Sequence, residues 1–268
     1  MKIFTWNDIL ETLNTGSDIS FFDKGTGIST GSFDGLHKGH RLLLNTLVGQ
    51  CRKNDLISGV VTFTRPLPGI KHAGDYQGDL STLTQRINLL EKLGIEFVII
   101  VKFDDSFASM LGVDYLNLLA NVCNMKLLAE GVDFRCGYKG AVDASAIKLY
   151  GQNTGIKTIF VDPVFYQAAA DQEERVSSSC IRKMVSRGFF STVEELLERK
   201  YEVELFSEAG SVGGSAENVE KVISKSDVVQ VLPPVGLYHC KNEVGDEVRV
   251  EIQKDLIKMD KASRVIRF

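Results

Sequence analysis

Ten residues of this chain combine reactive side chains with a backbone that can approach a ligand: Gly31-Ser-Phe-Asp-Gly-Leu-His-Lys-Gly-His40. Two imidazoles three positions apart share a face at a helix start, so His37 and His40 can grip one anion together. Gly31, Gly35 and Gly39 permit a tight turn, and a helix N-terminus favours phosphate. Taken alone, the stretch also fits a glycine turn that carries surface histidines. A second stretch, Glu174-Arg-Val-Ser-Ser-Ser-Cys-Ile-Arg182, sets serines at a helix start between two arginines. Read by itself it is an ordinary N-cap with a surface arginine. Read as chemistry, Ser178, Ser179, Arg175, Arg182 and the helix amides surround a phosphate.

The elements that must position these groups follow from patterning. An apolar strand over 27–30 leads into the glycine turn, and Leu42, Leu43, Leu44, Leu47 and Val48 recur at helical spacing after it. Strands are predicted over 59–63, 97–101 and 126–129, and helices over 7–13, 82–93 (closed by Gly94) and 113–122. Residues 153–161 read as a turn and then a strand. Strands alternating with helices predict an α/β fold, a doubly wound, mostly parallel, Rossmann-like sheet. Ligands bind such sheets at the carboxyl ends of the strands, where the His37/His40 turn and the loop at Arg65 both fall. After Tyr201 the texture changes. Gly210-Ser-Val-Gly-Gly-Ser215 reads as a connection, and short β-rich runs at 228–232, 237–240, 248–252, 256–259 and 264–268 read as an antiparallel meander. The expected division is 1–203 and 204–268, the second part being a small β domain that leans on the first.

Composition narrows the classes. The 268 residues are 44% hydrophobic and 25% charged with a net charge of −4, which supports a real core and gives no electrostatic footprint for nucleic acid. The 5 cysteines are scattered without a CxxC pair, which argues against a zinc ribbon or disulfide framework and fits a reducing cytoplasm. No apolar run approaches membrane-spanning length, so neither a membrane partner nor a leader is expected. A GxxxxGK[ST] loop, a correctly spaced GxGxxG and an HExxH helix are all missing.

Gly31-Ser-Phe-Asp-Gly-Leu-His-Lys-Gly-His40 resembles the HxGH signature of the nucleotidylyltransferase superfamily. In its GxFDGxHxGH form it is similar to the FMN adenylyltransferase (FAD synthetase) module of the bacterial bifunctional riboflavin kinase/FAD synthetase family. In the same order, Val61-Thr-Phe63 resembles that family's second strand, and Leu83 to Ile95 resembles its helix ending in leucine-glycine-isoleucine. Glu130-Gly-Val-Asp-Phe-Arg-Cys-Gly137 is similar to its GxDFxFG segment, and Val176-Ser-Ser-Ser-Cys-Ile-Arg182 to its ISSTxIR segment. The likeness covers residues 20–201.

The resemblance implies FMN + ATP → FAD + pyrophosphate with Mg²⁺, by in-line attack of the FMN phosphate on the α-phosphorus. By resemblance, His37 and His40 donate hydrogen bonds to ATP phosphates. Ser178, Ser179, Arg175 and Arg182 hold the β- and γ-phosphates, and Gly31, Ser32, Phe33, Gly39 and Ser177 complete the nucleotide cradle. Asp133 positions Mg²⁺ or the flavin phosphate, unless it is merely a turn aspartate. Asp34 caps the helix. Residues 1–203 become the nucleotidyltransferase domain and 204–268 a degenerate riboflavin kinase remnant without kinase activity, since no proline-threonine pair is present. Pro66-Leu-Pro68 lacks the histidine of the family's proline-histidine-proline loop, Ser179 stands for threonine and Cys180 for arginine. The missing histidine keeps two alternatives open: another phosphate acceptor, or a non-catalytic flavin- or nucleotide-binding protein.

Overall fold

The computed structural model describes residues 1–16, 19–67, 76–169, 171–205 and 221–268. In chain order the first part runs β1 (Lys2–Thr5), α1 (Trp6–Thr15), β2 (Thr26–Thr30), α2 (Lys38–Lys53), β3 (Ile57–Phe63), α3 (Leu83–Lys92), β4 (Phe97–Val101), α4 (Asp105–Ser109), α5 (Gly112–Val122) and β5 (Met125–Gly131). A two-residue pair follows, β6 (Arg135–Cys136) and β7 (Val142–Asp143), then α6 (Ala144–Thr154) and β8 (Lys157–Val161). A hairpin of β9 (Phe165–Ala169) and β10 (Gln172–Arg175) leads to α7 (Ser178–Val185) and α8 (Phe190–Leu197).

Six of these strands form one sheet in the order β1-β4-β3-β2-β5-β8, every neighbouring pair parallel. The winding reverses between β2 and β5, which leaves a crevice at their carboxyl ends. Alternation along the strands feeds two cores. Val60, Val98 and Leu127 pack under Leu44 and Leu47 of α2 and Leu90 of α3. Val61, Ile99 and Leu128 pack on the other face against Ile9, Leu116, Leu119 and Ile147. Gly59 is fixed by that packing: a Cβ there would lie 2.0 Å from the Phe97 ring.

The helix start at Thr82 follows from a capping box. Thr82 Oγ1 accepts from Gln85 N while Gln85 Oε1 accepts from Thr82 N. Residues 144–154 form α6, a helix the sequence reading did not assign; only its last two residues fall in the stretch from 153 expected to begin as a turn. Asp143 accepts from Ala146 N and starts that helix.

The second sheet is antiparallel, in the order β11 (Glu202–Glu204), β16 (Val265–Arg267), β13 (Gly236–Lys241), β14 (Glu247–Ile252), β15 (Leu256–Met259) and β12 (Lys221–Ser224). Its buried face, with Val248, Val250 and Ile252 on alternate positions of β14, packs on Ile181 and Val185 of α7 and Val193 and Leu196 of α8. The run 228–232 is not a strand of this meander. Its Gln230 bridges to Asp79, and the Gln230 amide bonds Leu80 O (3.1 Å) and Glu202 O (2.7 Å), tying the two sheets' surroundings together. The expected connection at 210–215 lies outside the described residues. Among those described, no helix is long and apolar enough to cross a membrane.

Candidate active site

Between β2 and α2 the chain turns through a strained loop. Gly35 takes φ 78°, but Phe33 and Leu36 also sit at φ 45° and 41°, a cost of about 1 kcal/mol or more apiece. They hold it because both side chains are fully inside the core and because Asp34 pins the turn. The Asp34 carboxylate accepts from Leu80 N (3.0 Å) and Ser81 N (2.9 Å) and pairs with Arg182. Asp34 is therefore not the helix cap that the sequence pointed to. That place belongs to His37, whose Nδ1 accepts from His40 N at 3.4 Å. A buried carboxylate already accepting from an arginine, two amides and the Ser81 hydroxyl is fully occupied and has no site left for a helix start.

The two imidazoles stack with centroids 3.7 Å apart and planes 18° from parallel. Burial, then Arg175 and Arg182, pushes His37 down to about 4 from its ordinary 6.5. Burial pushes His40 well below that ordinary value, helped by His37 and Arg86. Both rings are neutral at pH 7. Since His37 Nδ1 is an acceptor, its proton sits on Nε2.

His37, His40, Gly31, Phe33 and Gly39 form one side of a cavity of about 710 Å³ at the carboxyl ends of β2, β5 and β8. Asp133, Arg175, Ser177 and Ser178 line the same cavity. Arg175 Nη1 donates to Asp133 Oδ2 at 2.7 Å, and that hydrogen bond holds the Asp133 carboxyl below its usual range. Ser177 is the N-cap of α7, its Oγ accepting from Cys180 N, and Ser178 Oγ donates to Asp34 O at 2.9 Å. Phe63, Phe103, Phe107 and Tyr115 add an aromatic stretch to the cavity lining.

Three other residues singled out by sequence stand elsewhere. Ser32 Oγ accepts from Leu67 N (3.2 Å), steadying the start of the proline loop; Pro68 lies outside the described residues. Ser179 borders a second cavity, of about 780 Å³, with Lys183, Arg187 and Thr192; Arg175 and Ser177 line both cavities. Arg182 is buried, donating to Asp34, to Gly78 O (2.8 Å) and to Tyr76 Oη (3.1 Å). It ties α7 to the glycine turn rather than lining the cavity.

Sequence reading passed over Arg86, Glu130 and Asp162. Arg86 is fully buried and donates to Ser32 O (2.9 Å) and Phe63 O (2.8 Å), clamping the ends of β2 and β3. Its signal was a charge one turn before Leu90, on the apolar face of α3. Glu130 and Asp162 both line the cavity and close their strands' apolar runs. Asp133 and Asp162 are exposed carboxylates on that cavity. Proteins commonly hold nucleotide-bound Mg²⁺ with one or two carboxylates plus substrate phosphates, and this donor set fits that pattern.

A family model described as FAD synthetase matches residues 20–180. Among curated proteins, the bifunctional riboflavin kinase/FMN adenylyltransferase of Buchnera aphidicola subsp. Schizaphis graminum is 27% identical over 183 residues, 68% of this chain and 57% of that protein. The Escherichia coli K12 protein of the same description is 29% identical over 182 residues, 67% and 56% of the two chains. That of Bacillus subtilis is 28% identical over 225 residues, 82% and 68%. The chain thus spans a little over half the length of the first two relatives. A crystal structure titled as a macrolide-efflux protein from Streptococcus pneumoniae shares the fold, with a TM-score of 0.69 at 18% identity over 91% of this chain and 92% of that one.

Proposed function

The chain belongs to the FAD synthetase family, and from that premise we propose that it transfers AMP from ATP to FMN, yielding FAD and pyrophosphate. One observation supports this most: a neutral histidine pair, an arginine and a serine-capped helix line a single cavity at the sheet's switch point. That is an arrangement for holding a polyphosphate, with no side chain placed as a nucleophile. An oxygen of the FMN phosphate attacks the α-phosphorus, a new P–O–P link forms, and the bond to the β-phosphate oxygen breaks to release pyrophosphate. Positioning and charge stabilisation then carry catalysis.

Neutral imidazoles suit the task. His37 Nε2–H donates to the α-phosphate region without the cost of burying a cation in the free enzyme. Arriving phosphates favour imidazolium, so the hydrogen bonds strengthen as charge moves. Arg175 leaves Asp133 to meet the β- and γ-phosphates, aided by Ser177 and Ser178 and the amides of α7. Mg²⁺ on the polyphosphate, held by Asp133 and Asp162, would add charge neutralisation. Arg182 keeps the glycine turn and the serine helix at a fixed separation. Riboflavin phosphorylation is not part of the activity: the β domain that follows α8 carries no proline-threonine segment of the kinase type.

The test is direct. Purified full chain with ATP, Mg²⁺ and FMN should form FAD and pyrophosphate, and with riboflavin in place of FMN should form neither FMN nor FAD. Tight FMN binding without product would point to a binding protein instead. Absence of both product and flavin binding would point to another acceptor.

A further inference from the structure

Residues 78–82, just ahead of α3, are gripped by the β domain. Asp79 N donates to Val229 O and Val231 N donates to Asp79 O, both at 2.9 Å, which makes a parallel bridge to residues 229–231. The approach is close: a Cβ on Gly78 would lie 2.7 Å from Val231 N. Gln230 is buried and its whole amide is engaged. It donates to Leu80 O (3.1 Å) and Glu202 O (2.7 Å), and its Oε1 accepts from Glu204 N (2.7 Å). Thr82 Oγ1 adds a bond to Glu204 Oε2 at 2.7 Å. The same segment pins the glycine turn from its other side. Leu80 N and Ser81 N donate to Asp34, and Ser81 Oγ donates to Asp34 Oδ1 (3.1 Å) while accepting from Gly35 N (3.0 Å). The Leu80–Ser81 peptide unit is therefore held at both ends, its C=O by Gln230 of the β domain and its N–H by Asp34 of the turn. A peptide group is planar, so a shift at one end turns the other. Hydrogen bonds in such a chain also polarise and strengthen one another.

What depends on Asp34 is the histidine pair. Phe33 and Leu36, on either side of Asp34 and Gly35, keep positive φ, and residues in that region stay there only where the surroundings over-determine them. Ser178 Oγ donates to Asp34 O, so the start of α7 is tied to the same residue. We propose that Gln230 is a positioning residue for adenylyl transfer: through the Leu80–Ser81 peptide and Asp34 it sets the turn that aims His37 and His40 at the phosphates. The β domain thus takes part in the reaction without touching a substrate. The assignment rests on the reading that the histidine pair serves adenylyl transfer. A tie that only held two domains together would add stability and leave turnover per folded chain alone. A positioning residue also changes where the imidazoles point.

The experiment uses the full chain and two readouts. The first is the proton–nitrogen correlation spectrum of the imidazoles without substrate, since 4 histidines are few enough to assign with His37→Gln and His40→Ala. Gln230→Met keeps the side chain's length and removes its donors and its acceptor, and it should move the His37 and His40 ring signals. The second readout is kinetic, with the folded fraction taken from urea denaturation. For Gln230→Met, kcat per folded chain should fall about 10-fold while KM for ATP and for FMN stays within about 3-fold of wild type. The split follows because the histidine bonds strengthen as charge moves, whereas Arg175 holds the polyphosphate from the start. Ile257→Val trims a buried side chain on β15 of the same domain and should leave both readouts at wild type. Gln230→Glu, which keeps the acceptor for Glu204 N, is the second variant should methionine not fold. Unmoved histidine signals or an unchanged kcat in a folded Gln230 variant overturns the proposal, as does the same change in Ile257→Val. A wild type that forms no FAD counts against the adenylyltransfer reaction alone, and the histidine signals then decide whether Gln230 sets the turn.

Discussion

Arg175 and Arg182 flank the same three serines, yet each has been given a different kind of partner. Arg175, at the end of a hairpin strand, meets Asp133 where both side chains are about half exposed, 48% and 57%. Arg182, one helical turn into α7, meets Asp34 with both side chains almost wholly inside, 6% and 1%. An exposed ion pair contributes roughly 0–1 kcal/mol, so an incoming phosphate can displace Asp133 at little cost. A buried pair is costly to break, because the charge left behind has no water. The rim of the cavity is therefore exchangeable and the strut beneath it is not. Two arginines seven residues apart in sequence divide binding from scaffolding.

Removing the strut should have the largest effect. Asp34→Ala leaves Arg182 buried without its carboxylate and strips Leu80 N and Ser81 N of their acceptor. A loss of about 3–5 kcal/mol is expected from urea denaturation. Adding Arg182→Met should recover part of it, since a buried pair replaced on both sides by apolar groups costs less than a half-pair. A loss below about 1 kcal/mol for Asp34→Ala would erase the distinction between strut and rim.

His40→Ala is the next test and should behave in the opposite way. His40 touches the cavity and stacks on His37, but it anchors no distant element. FAD formation should fall about 10²–10³-fold, the size expected when one preorganised donor to a developing charge is lost. The urea midpoint should stay close to wild type. A parallel loss of stability and turnover would place His40 in the scaffold.

How much of this division could be read in the sequence depends on whether its cause was local. The histidines, the serine cap and the parallel strands were legible because turn chemistry and apolar periodicity are near-neighbour signals. Asp34 was misread as a cap for the same reason. Its real partners, Leu80, Ser81 and Arg182, lie 46 or more positions away, beyond anything spacing can show. Helix α6 escaped because its apolar stripe is weak, with only Ile147 and Gly151 buried. Arg86 and Glu130 are charged residues on apolar faces, and local pattern treats such residues as noise. Tertiary structure makes them a clamp and a cavity wall.

Acid should reveal the histidine side of the cavity. His37 is held near 4 in the folded chain against 6.5 when free, so the unfolded state binds more protons between those values. Stability from this group is fully present above pH 6.5 and is lost as pH falls, on the order of 3 kcal/mol by pH 4. Melting across that window should show the decline, and His37→Gln should reduce it, leaving the share of His40, which burial also lowers. A decline that persists undiminished in His37→Gln would assign the acid sensitivity to other groups.

The smallest effect separates the rim from the strut most cleanly. Arg175→Gln removes the cation but keeps a donor, and its partner Asp133 is exposed enough to be solvated alone. Stability should change by less than about 0.5 kcal/mol. ATP, whose β- and γ-phosphates lose a charge-assisted contact, should show a KM raised about 10-fold with kcat nearly kept. FMN should be unaffected if its phosphate meets the histidine side of the cavity instead. Equal KM shifts for ATP and FMN would mean that Arg175 serves both phosphates, making the rim a shared anion site. A fall in kcat at constant KM would mean that the guanidinium engages only as the pyrophosphate departs. Each outcome leaves Arg182 and its buried carboxylate as the fixed reference against which Arg175 moves.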